Sequence, residues 1–565
     1  MIDLVELKLS GEAPEWMDEV SLKTLSNGYL LKDETPKQMY LRVAKAAASY
    51  YKDAKKIEHK FFDILWKNWL CPASPVLSNM GTDRGLPISC NTIHVGDSLD
   101  SIFMKNYEFA TLSKNGAGVG IYFGDIRGRG TPIKGNGLSE GVIPWAKVFD
   151  TTTMSVSQGS TRRGAAAIYL PIEHADINEF INLRRPTGDV NRRCLNINHG
   201  ICVSDAWMNA MLEGDKEKRQ LWMEILKSRV ETGEPYLFFT DNVNKNNPEC
   251  YVKNNLTVKS SNICSEITLH TDADHSFVCC LSSLNLVRWD EWKDTDTVNL
   301  TVRFLDAVLS EYIKKTEHMK GMAASRASAI KGRAIGIGVL GWHTMLQEKK
   351  LAFDSFETMQ LNAQIFRTLR EKAEAETRVL AEELGEPEWC QGCGRRNTHL
   401  IAIAPTVSNS TISGGHSAGI EPISANIFTQ KSAKGTFIRK NTTLEKLLES
   451  MGKNTPEIWS SINAQSGSVQ HLTCLSAEEK EVFLTAREIN QHTIVKLAVQ
   501  RQRWVDQAQS VNLFFAFNSL PKYIHEVHMA AWKNGLKTLY YLRSDGVIKS
   551  DLASRSEDDC KACEA

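Results

Sequence analysis

No stretch of this sequence approaches the length of uncharged apolar residues needed to cross a bilayer. Met1 to Ser26 shows neither a basic segment leading into an apolar run nor a cleavage-site pattern. A membrane protein and a secreted one are therefore disfavoured, and the cytoplasm is the expected location. Charge of one sign is also missing, with 67 basic residues against 67 acidic ones, which removes any general attraction to nucleic acid or lipid. Repeats and low-complexity tracts are absent, so solenoids and extended linkers are excluded apart from the tail. The 13 cysteines are an odd number spread over 565 residues, which argues against a disulfide framework and for reduced thiols. Cys390-Gln391-Gly392-Cys393 stands without a second pair or histidines at zinc spacing, and no metal-ligand set is read in the chain.

What is present is a large soluble chain with alternating helical and strand-like patterns. Helical periodicity runs from Thr35 to Trp69, starting at Thr35-Pro36, with Tyr40, Val43, Ala44, Ala47, Phe61, Ile64 and Leu65 as apolar faces. Residues 71–81 are too rich in proline and small polar residues for a helix interior, and Cys90 falls in a short strand or its loop. Asn115 to Gly120 resembles a phosphate loop only superficially, lacking a following Gly-Lys-Ser/Thr. Its glycines suit close approach of backbone to a ligand or strand. Residues 124–130 and 157–164 pair arginines with glycines, as a site for an anionic ligand would. Phe277 to Leu286 reads as a buried strand, in which Cys279 and Cys280 face opposite ways. Ile335 to Val339 alternates branched residues with glycine, as a strand closely approached by other backbone would. Ile401 to Thr411 runs from an apolar strand into a Ser/Thr/Asn cluster that can cap a helix or bind phosphate. The last fifteen residues are polar and carry Cys560-Lys561-Ala562-Cys563, a thiol pair on a tether with no packing purpose.

The stretch with the densest chemistry is Asn262-Ile263-Cys264-Ser265-Glu266. If extended, it places an amide, a thiol and a carboxylate on one face, where Glu266 can take a proton, Asn262 can hold a hydroxyl and Cys264 offers sulfur chemistry. A half-buried strand with an inert thiol has the same alternation.

Taken together with Leu77-Ser78-Asn79, Cys90, Gly96 to Ile102, Ser157-Gln158-Gly159, Gly419-Ile420-Glu421-Pro422, Tyr540-Tyr541 and the cysteine tail, this motif resembles the large catalytic subunit of class I ribonucleotide reductase. The resemblance spans the chain from about Thr24 to its end. It implies an α/β fold, a ten-stranded α/β barrel with a central finger loop. The layout implied is a helical region over 1–70, the barrel with its effector loops over 71–550 and a flexible redox-active tail over 551–565. The family's N-terminal ATP-cone has no counterpart in this sequence, so no shutdown by dATP through such a site is expected.

The implied chemistry is reduction of ribonucleoside diphosphates. Cys264 becomes a transient thiyl radical, Glu266 takes the 3′-hydroxyl proton, Asn262 orients that group, and Cys90 with Cys279 supplies two electrons and ends as a disulfide. Counting back from Ser282 and Asn285 in the family pattern, the resemblance implies Cys279 rather than Cys280 as the partner. Tyr540 and Tyr541 carry the radical from a separate small subunit that holds a metal-based oxidant; no cofactor is bound covalently in this chain. Cys560 and Cys563 recharge the buried pair by thiol exchange and are themselves reduced by thioredoxin or glutaredoxin. A tether of about fifteen residues reaches some ~20 Å, so it leaves the surface near the site or serves a neighbouring subunit. Pro405, Thr406, Val407, Ser408 and Asn409 hold the substrate diphosphate, Val407 through backbone alone, with Ser74, Ser89 and Gly118 on the nucleoside side. Asp97, Arg127, Lys134 and Arg162 bind a deoxynucleotide or ATP effector where two copies of the chain form an effector-dependent homodimer. Two alternatives stay open: an adenosylcobalamin-dependent reductase, and a nucleotide-binding regulatory protein without catalysis.

Overall fold

The computed structural model describes residues 3–156, 164–432 and 435–544. At its N-terminal end the helix Pro36–Ala48 starts on a reciprocal cap. The Thr35 hydroxyl accepts from the Gln38 amide and the Gln38 side chain accepts from the Thr35 amide, with Pro36 in the first turn. Its stripe of Met39, Tyr40, Val43, Ala44 and Ala47 is buried, as are Phe61, Ile64 and Leu65 of the neighbouring helix Ala54–Trp66. The segment expected to resist helix formation does form one, Ser74–Asn79, after the short strand β1, Leu70–Pro72. Pro75 sits in the first turn, where its missing N–H costs nothing, so the proline that seemed to exclude a helix instead starts it.

Seven further strands build most of a barrel wall: β2 Cys90–His94, β3 Gly118–Tyr122, β4 Ala165–Pro171, β5 Asn198–Val203, β6 Tyr236–Phe239, β7 Phe277–Asn285 and β8 Ile335–Leu340. Strands β2 to β6 run parallel in chain order, and β7 pairs antiparallel with β2 and parallel with β8. Every described residue of these strands except the β4 and β5 ends is buried, as expected of a sheet covered by helices on its outside. Hydrogen bonding continues past β8 through two segments too short to count as full strands. Ile337 pairs with Ile401, and Ile403 pairs with Gln509. From there the Tyr540 amide donates to Val511 O, and Thr538–Leu539 pairs antiparallel with β6. The circuit returns to its starting wall, so the sheet is closed, with five staves from β2 to β6 and five more from β7, β8, 401–403, 509–511 and 538–540. The helix Gln491–Gln502 stops short of Gln509, because the chain after it must extend to serve as a stave. A satellite lobe with its own apolar cluster, including Leu444, Leu448, Trp459 and Ile462, is inserted in the chain between the staves 401–403 and 509–511.

The chain between β6 and β7 enters the barrel. Two glycines on one face of β3 give it room: a Cβ on Gly118 would stand 2.7 Å from Ile263 Cγ2, and one on Gly120 would stand 2.0 Å from Ser261 O and 3.0 Å from Asn262 Cα. The glycines first noticed for a possible phosphate loop therefore admit another stretch of backbone. Gly120→Ala is predicted to push this stretch from its seat, with the ~1–3 kcal/mol penalty of overpacking and a loss of turnover beyond what the melting shift explains. An unchanged melting temperature would contradict the packing described here.

Candidate active site

Residues 261–267 are not the extended strand that their alternation suggests. Ser265 has φ +68°, and its amide donates to Asn262 O at 3.4 Å, making a tight turn with Cys264 at the tip. The asparagine drives this locally, since its short amide competes with regular backbone pairing. Asn262 Oδ1 accepts from the Ile267 amide at 3.2 Å, and Asn262 Nδ2 donates to Glu266 Oε1 at 2.9 Å. Amide, thiol and carboxylate do come together, but around a bend rather than along one face.

Both halves of the barrel hold this turn. From one side Thr92 Oγ1 donates to Ser261 O at 3.1 Å and the Tyr169 hydroxyl donates to Asn262 O at 2.7 Å. From the other the Ala508 amide donates to Glu266 O at 2.9 Å, while Ser510 Oγ donates to Cys264 O at 2.5 Å and lies 3.2 Å from Glu266 Oε2. Asn262, Cys264 and Glu266 are all buried.

Cys90 and Cys279 are direct partners in the β2/β7 ladder. Residues directly opposite in an antiparallel pair have Cα atoms ~4.5–5.5 Å apart, within the range a disulfide needs. Cys280 points to the other face of β7, so the register favours Cys279 as the thiol beside Cys90. The Cys90 thiol is directed at Glu266 Oε1, 3.9 Å away, and Gln507 Nε2 donates to Cys279 Sγ at 3.4 Å. Burial pushes the Cys279 thiol well above its ordinary range; Cys90 and Glu266 reinforce the effect and the Gln507 hydrogen bond opposes it.

On the opposite side of Cys264 stands Tyr540, whose hydroxyl shares a hydrogen bond with the Cys264 thiol. Its ring lies 4.3 Å from that of Tyr541, centroid to centroid. Tyr541 is partly exposed, accepts from Asn198 Nδ2 at 2.9 Å and carries the Arg543 guanidinium over its ring at 4.5 Å. Burial raises the Tyr540 phenol well above 10, so it stays protonated at neutral pH. A third ring, buried Tyr236, packs on both, at 4.7 Å from Tyr540 and 5.0 Å from Tyr541. Sequence reasoning missed Tyr236, Tyr169, Gln507 and Ser510. No local motif marks them, because only the assembled barrel brings them to the turn, to Cys279 or to Tyr540.

The candidate substrate residues lie on several elements. Ser89 and Gly118 flank Cys90, Gly118 as its register partner. The segment Pro405–Asn409 opens the helix Val407–Ile412, with Thr406 in a left-handed conformation at its start. Asn409 Nδ2 donates to Pro72 O at 3.1 Å and its Oδ1 lies 3.5 Å from Ser74 Oγ, which ties this turn to the Ser74 helix. The Thr406 hydroxyl accepts from the Gly419 amide at 2.7 Å, Ser408 is buried and Val407 is exposed. Glu421, in the same region, accepts from Asn512 Nδ2, and burial raises its carboxyl to about 7.

The candidate effector residues sit apart. Arg127 Nε donates to Asp97 Oδ2 at 2.7 Å, just ahead of the helix Leu99–Lys114, and Lys134 lies on a small hairpin closed by the Pro132–Leu138 bridge. Arg162, Cys560 and Cys563 lie outside the described residues. Cys390 is not isolated with Cys393: the Cys250 thiol hydrogen-bonds to it.

Comparison with known proteins gives one consistent answer. A family model described as the ribonucleotide reductase barrel domain matches residues 88–218, 214–392 and 388–542, and one for the all-alpha domain matches 15–85. A ribonucleoside-diphosphate reductase large subunit of Invertebrate iridescent virus 3 is 34% identical, with 97% of this chain and 98% of the relative covered. One from Arabidopsis thaliana is 30% identical over 93% of this chain and 76% of its own length. Among solved structures, the Actinobacillus ureae class Id ribonucleotide reductase alpha subunit superposes with a TM-score of 0.88 at 42% identity, covering 95% of this chain and 99% of that one. Among the described residues no helix is long and apolar enough to cross a membrane.

The raised Glu421 carboxyl has a consequence for stability. Between its ordinary 4.5 and about 7 the folded protein holds a proton that the unfolded chain has lost, so this group's contribution falls as pH rises through that window. Glu421→Gln, which does not ionise, is predicted to gain stability relative to wild type as pH rises from 5 to 8, on the order of 2 kcal/mol. Parallel pH–melting curves for the two proteins would contradict the assignment.

Proposed function

The chain belongs to the ribonucleotide reductase large-subunit family, and from that premise we propose a thiyl-radical reduction of ribonucleoside diphosphates to 2′-deoxyribonucleotides, started by a separate small subunit. The observation that carries the reading is the meeting at one turn of Cys264, the Cys90/Cys279 pair and the Tyr540–Tyr541 stack.

The chemistry needs a radical because hydroxide is a poor leaving group from an unactivated carbon. Tyr541, partly exposed, receives the oxidising equivalent and Tyr540 relays it. Since the buried Tyr540 phenol holds its proton, electron and proton leave together. Tyr540 then takes the hydrogen atom of Cys264, leaving a thiyl radical. That sulfur removes the 3′ hydrogen of the substrate, Glu266 accepts the 3′-hydroxyl proton and Asn262 orients the group through the hydrogen bond it already makes to Glu266. Cys90 protonates the departing 2′-hydroxyl, which leaves as water. Cys90 and Cys279 together give up two electrons and two hydrogens and become a disulfide; Glu266 returns its proton to the 3′ oxygen, and Cys264 returns its hydrogen to the 3′ carbon and is a radical again. The sum is one ribonucleotide and two thiols converted to one deoxyribonucleotide, one disulfide and water.

Ser74, Ser89, Gly118 and Pro405–Asn409 hold the nucleotide in this reading. Cys560 and Cys563 exchange with the buried disulfide and are recharged by a thioredoxin-like or glutaredoxin-like protein. The contact of a tyrosine pair with Cys264 favours an external radical source over adenosylcobalamin. An effector nucleotide at Asp97, Arg127, Lys134 and Arg162, bound between two copies of the chain, is supported by the adjoining helix Leu99–Lys114. It begins at the Asp97 end and exposes Leu99, Phe103, Met104 and Tyr107, an apolar stripe that a second copy would cover.

Two predictions follow from these roles. Cys279→Ser is expected to stop multiple turnover, while Cys280→Ser, on the other face of β7, retains most of it when assayed with the small subunit and a dithiol. The reverse order would sink the pairing. Phe103→Asp combined with Met104→Asp is expected to leave the chain monomeric in sedimentation with effector present, and a dimer unchanged by these charges would remove the stripe from the interface.

A further inference from the structure

The loop between the Cys264 turn and β7 carries His270, Asp272 and His275, whose ligand-type atoms all lie within 4.8 Å of one another. Nothing in the proposed reaction uses them. We propose that these three residues form a binding site for a divalent transition cation of the zinc class, which braces the loop joining the Cys264 turn to the strand of Cys279.

His270 Nδ1 faces the carbonyl oxygen of Thr257 at 2.8 Å, and because a carbonyl can only accept, that nitrogen carries the proton. The other nitrogen, Nε2, then presents a lone pair in the neutral ring, yet it faces Asp272 Oδ2, also an acceptor, at 3.0 Å. Fixing one ring nitrogen by a backbone carbonyl so that the other is free to ligate is the usual arrangement of a metal-binding histidine. Asp272 is prepared in the same way. Its Oδ1 accepts from the amides of Asp274 and His275, each at 2.8 Å, and lies 2.9 Å from His275 Nδ1, while Oδ2 lies 3.0 Å from His270 Nε2 and 3.1 Å from His275 Nδ1. Bonds of about 2.0–2.1 Å to a tetrahedral ion set ligand atoms about 3.3 Å apart; the Asp272 carboxylate already stands near that spacing from each ring, at 3.0 Å from His270 and 3.1 Å from His275, and all the ligand atoms lie within 4.8 Å of one another. Trp389 packs against both imidazoles, at 6.0 and 5.3 Å between centroids, and supports the rings from behind. The Asp272 side chain is 42% exposed, which leaves an entry path and room for water as the fourth ligand. A hydrogen-bonded imidazole–carboxylate cluster without metal is the competing account.

The site touches neither a substrate residue nor the radical path, so it can be tested apart from activity. Full-length protein bearing Cys560→Ser and Cys563→Ser, which removes the tail thiols, would be stripped with chelator and titrated with Co²⁺ and then Zn²⁺. The expected result is one equivalent of Co²⁺ with visible ligand-field bands and no thiolate charge-transfer band, displaced by Zn²⁺, together with a rise in melting temperature on Zn²⁺ addition. His275→Gln and Asp272→Asn should each weaken Zn²⁺ binding at least tenfold. No uptake by the parent protein, uptake with a thiolate spectrum, or unchanged affinity in folded variants would each overturn the proposal. If a variant fails to fold, the cobalt spectrum of the parent decides.

Discussion

The constraint on which the rest of the molecule depends is the clamping of one tight turn between two walls of a closed sheet. Cys264 stays in place because Tyr169 and Thr92 hold the turn from the β2–β4 side while Ala508 and Ser510 hold it from the other. These hydrogen bonds form in a buried setting, where an unmet donor or acceptor costs ~1–3 kcal/mol. The turn therefore cannot drift without exposing several such groups at once. Gly118 and Gly120 supply the space that the clamp occupies.

From that fixed point the neighbouring groups acquire their geometry. The antiparallel junction of β2 and β7 sets Cys90 against Cys279, and the same junction is where the two halves of the barrel meet. Closure on the far side, where 538–540 is inserted between β6 and 509–511, is what carries Tyr540 to Cys264. The thiol pair and the tyrosine stack thus approach the turn from the two seams of the barrel, which in the proposed reaction would keep the oxidant path and the reductant pair on separate sides of one sulfur. Such separation suits a reaction in which a radical must be delivered without consuming the thiols that later supply the electrons.

Some of this was legible in the residues and some was not. Thr35-Pro36 announced a helix start because capping is a local matter, and Asn262-x-Cys264-x-Glu266 announced a chemical cluster because three reactive types rarely crowd so closely. The same pattern misreported its own shape. Period-two alternation reads as a strand unless Asn262 closes a turn on Ile267, and that depends on a barrel interior invisible in the local pattern. Tyr236 meets Tyr540, and Gln507 and Ser510 meet the turn and Cys279, through pairings that span hundreds of residues, and the staves at 401–403 and 509–511 are too short to carry a period of their own. His270-x-Asp272-x-x-His275 escaped notice for a related reason, since it resembles an ordinary polar loop until Thr257 O is seen to fix the His270 tautomer.

The central claim is that the Cys264 sulfur removes a hydrogen atom from the ribose ring. The most direct measurement is deoxyribonucleotide formation from substrate carrying deuterium at the 3′ carbon, with small subunit and dithiol, by wild type and Cys264→Ser. The account predicts a primary isotope effect on wild-type turnover after commitment is allowed for, and no product from Cys264→Ser. Product from Cys264→Ser with the same isotope effect would contradict it.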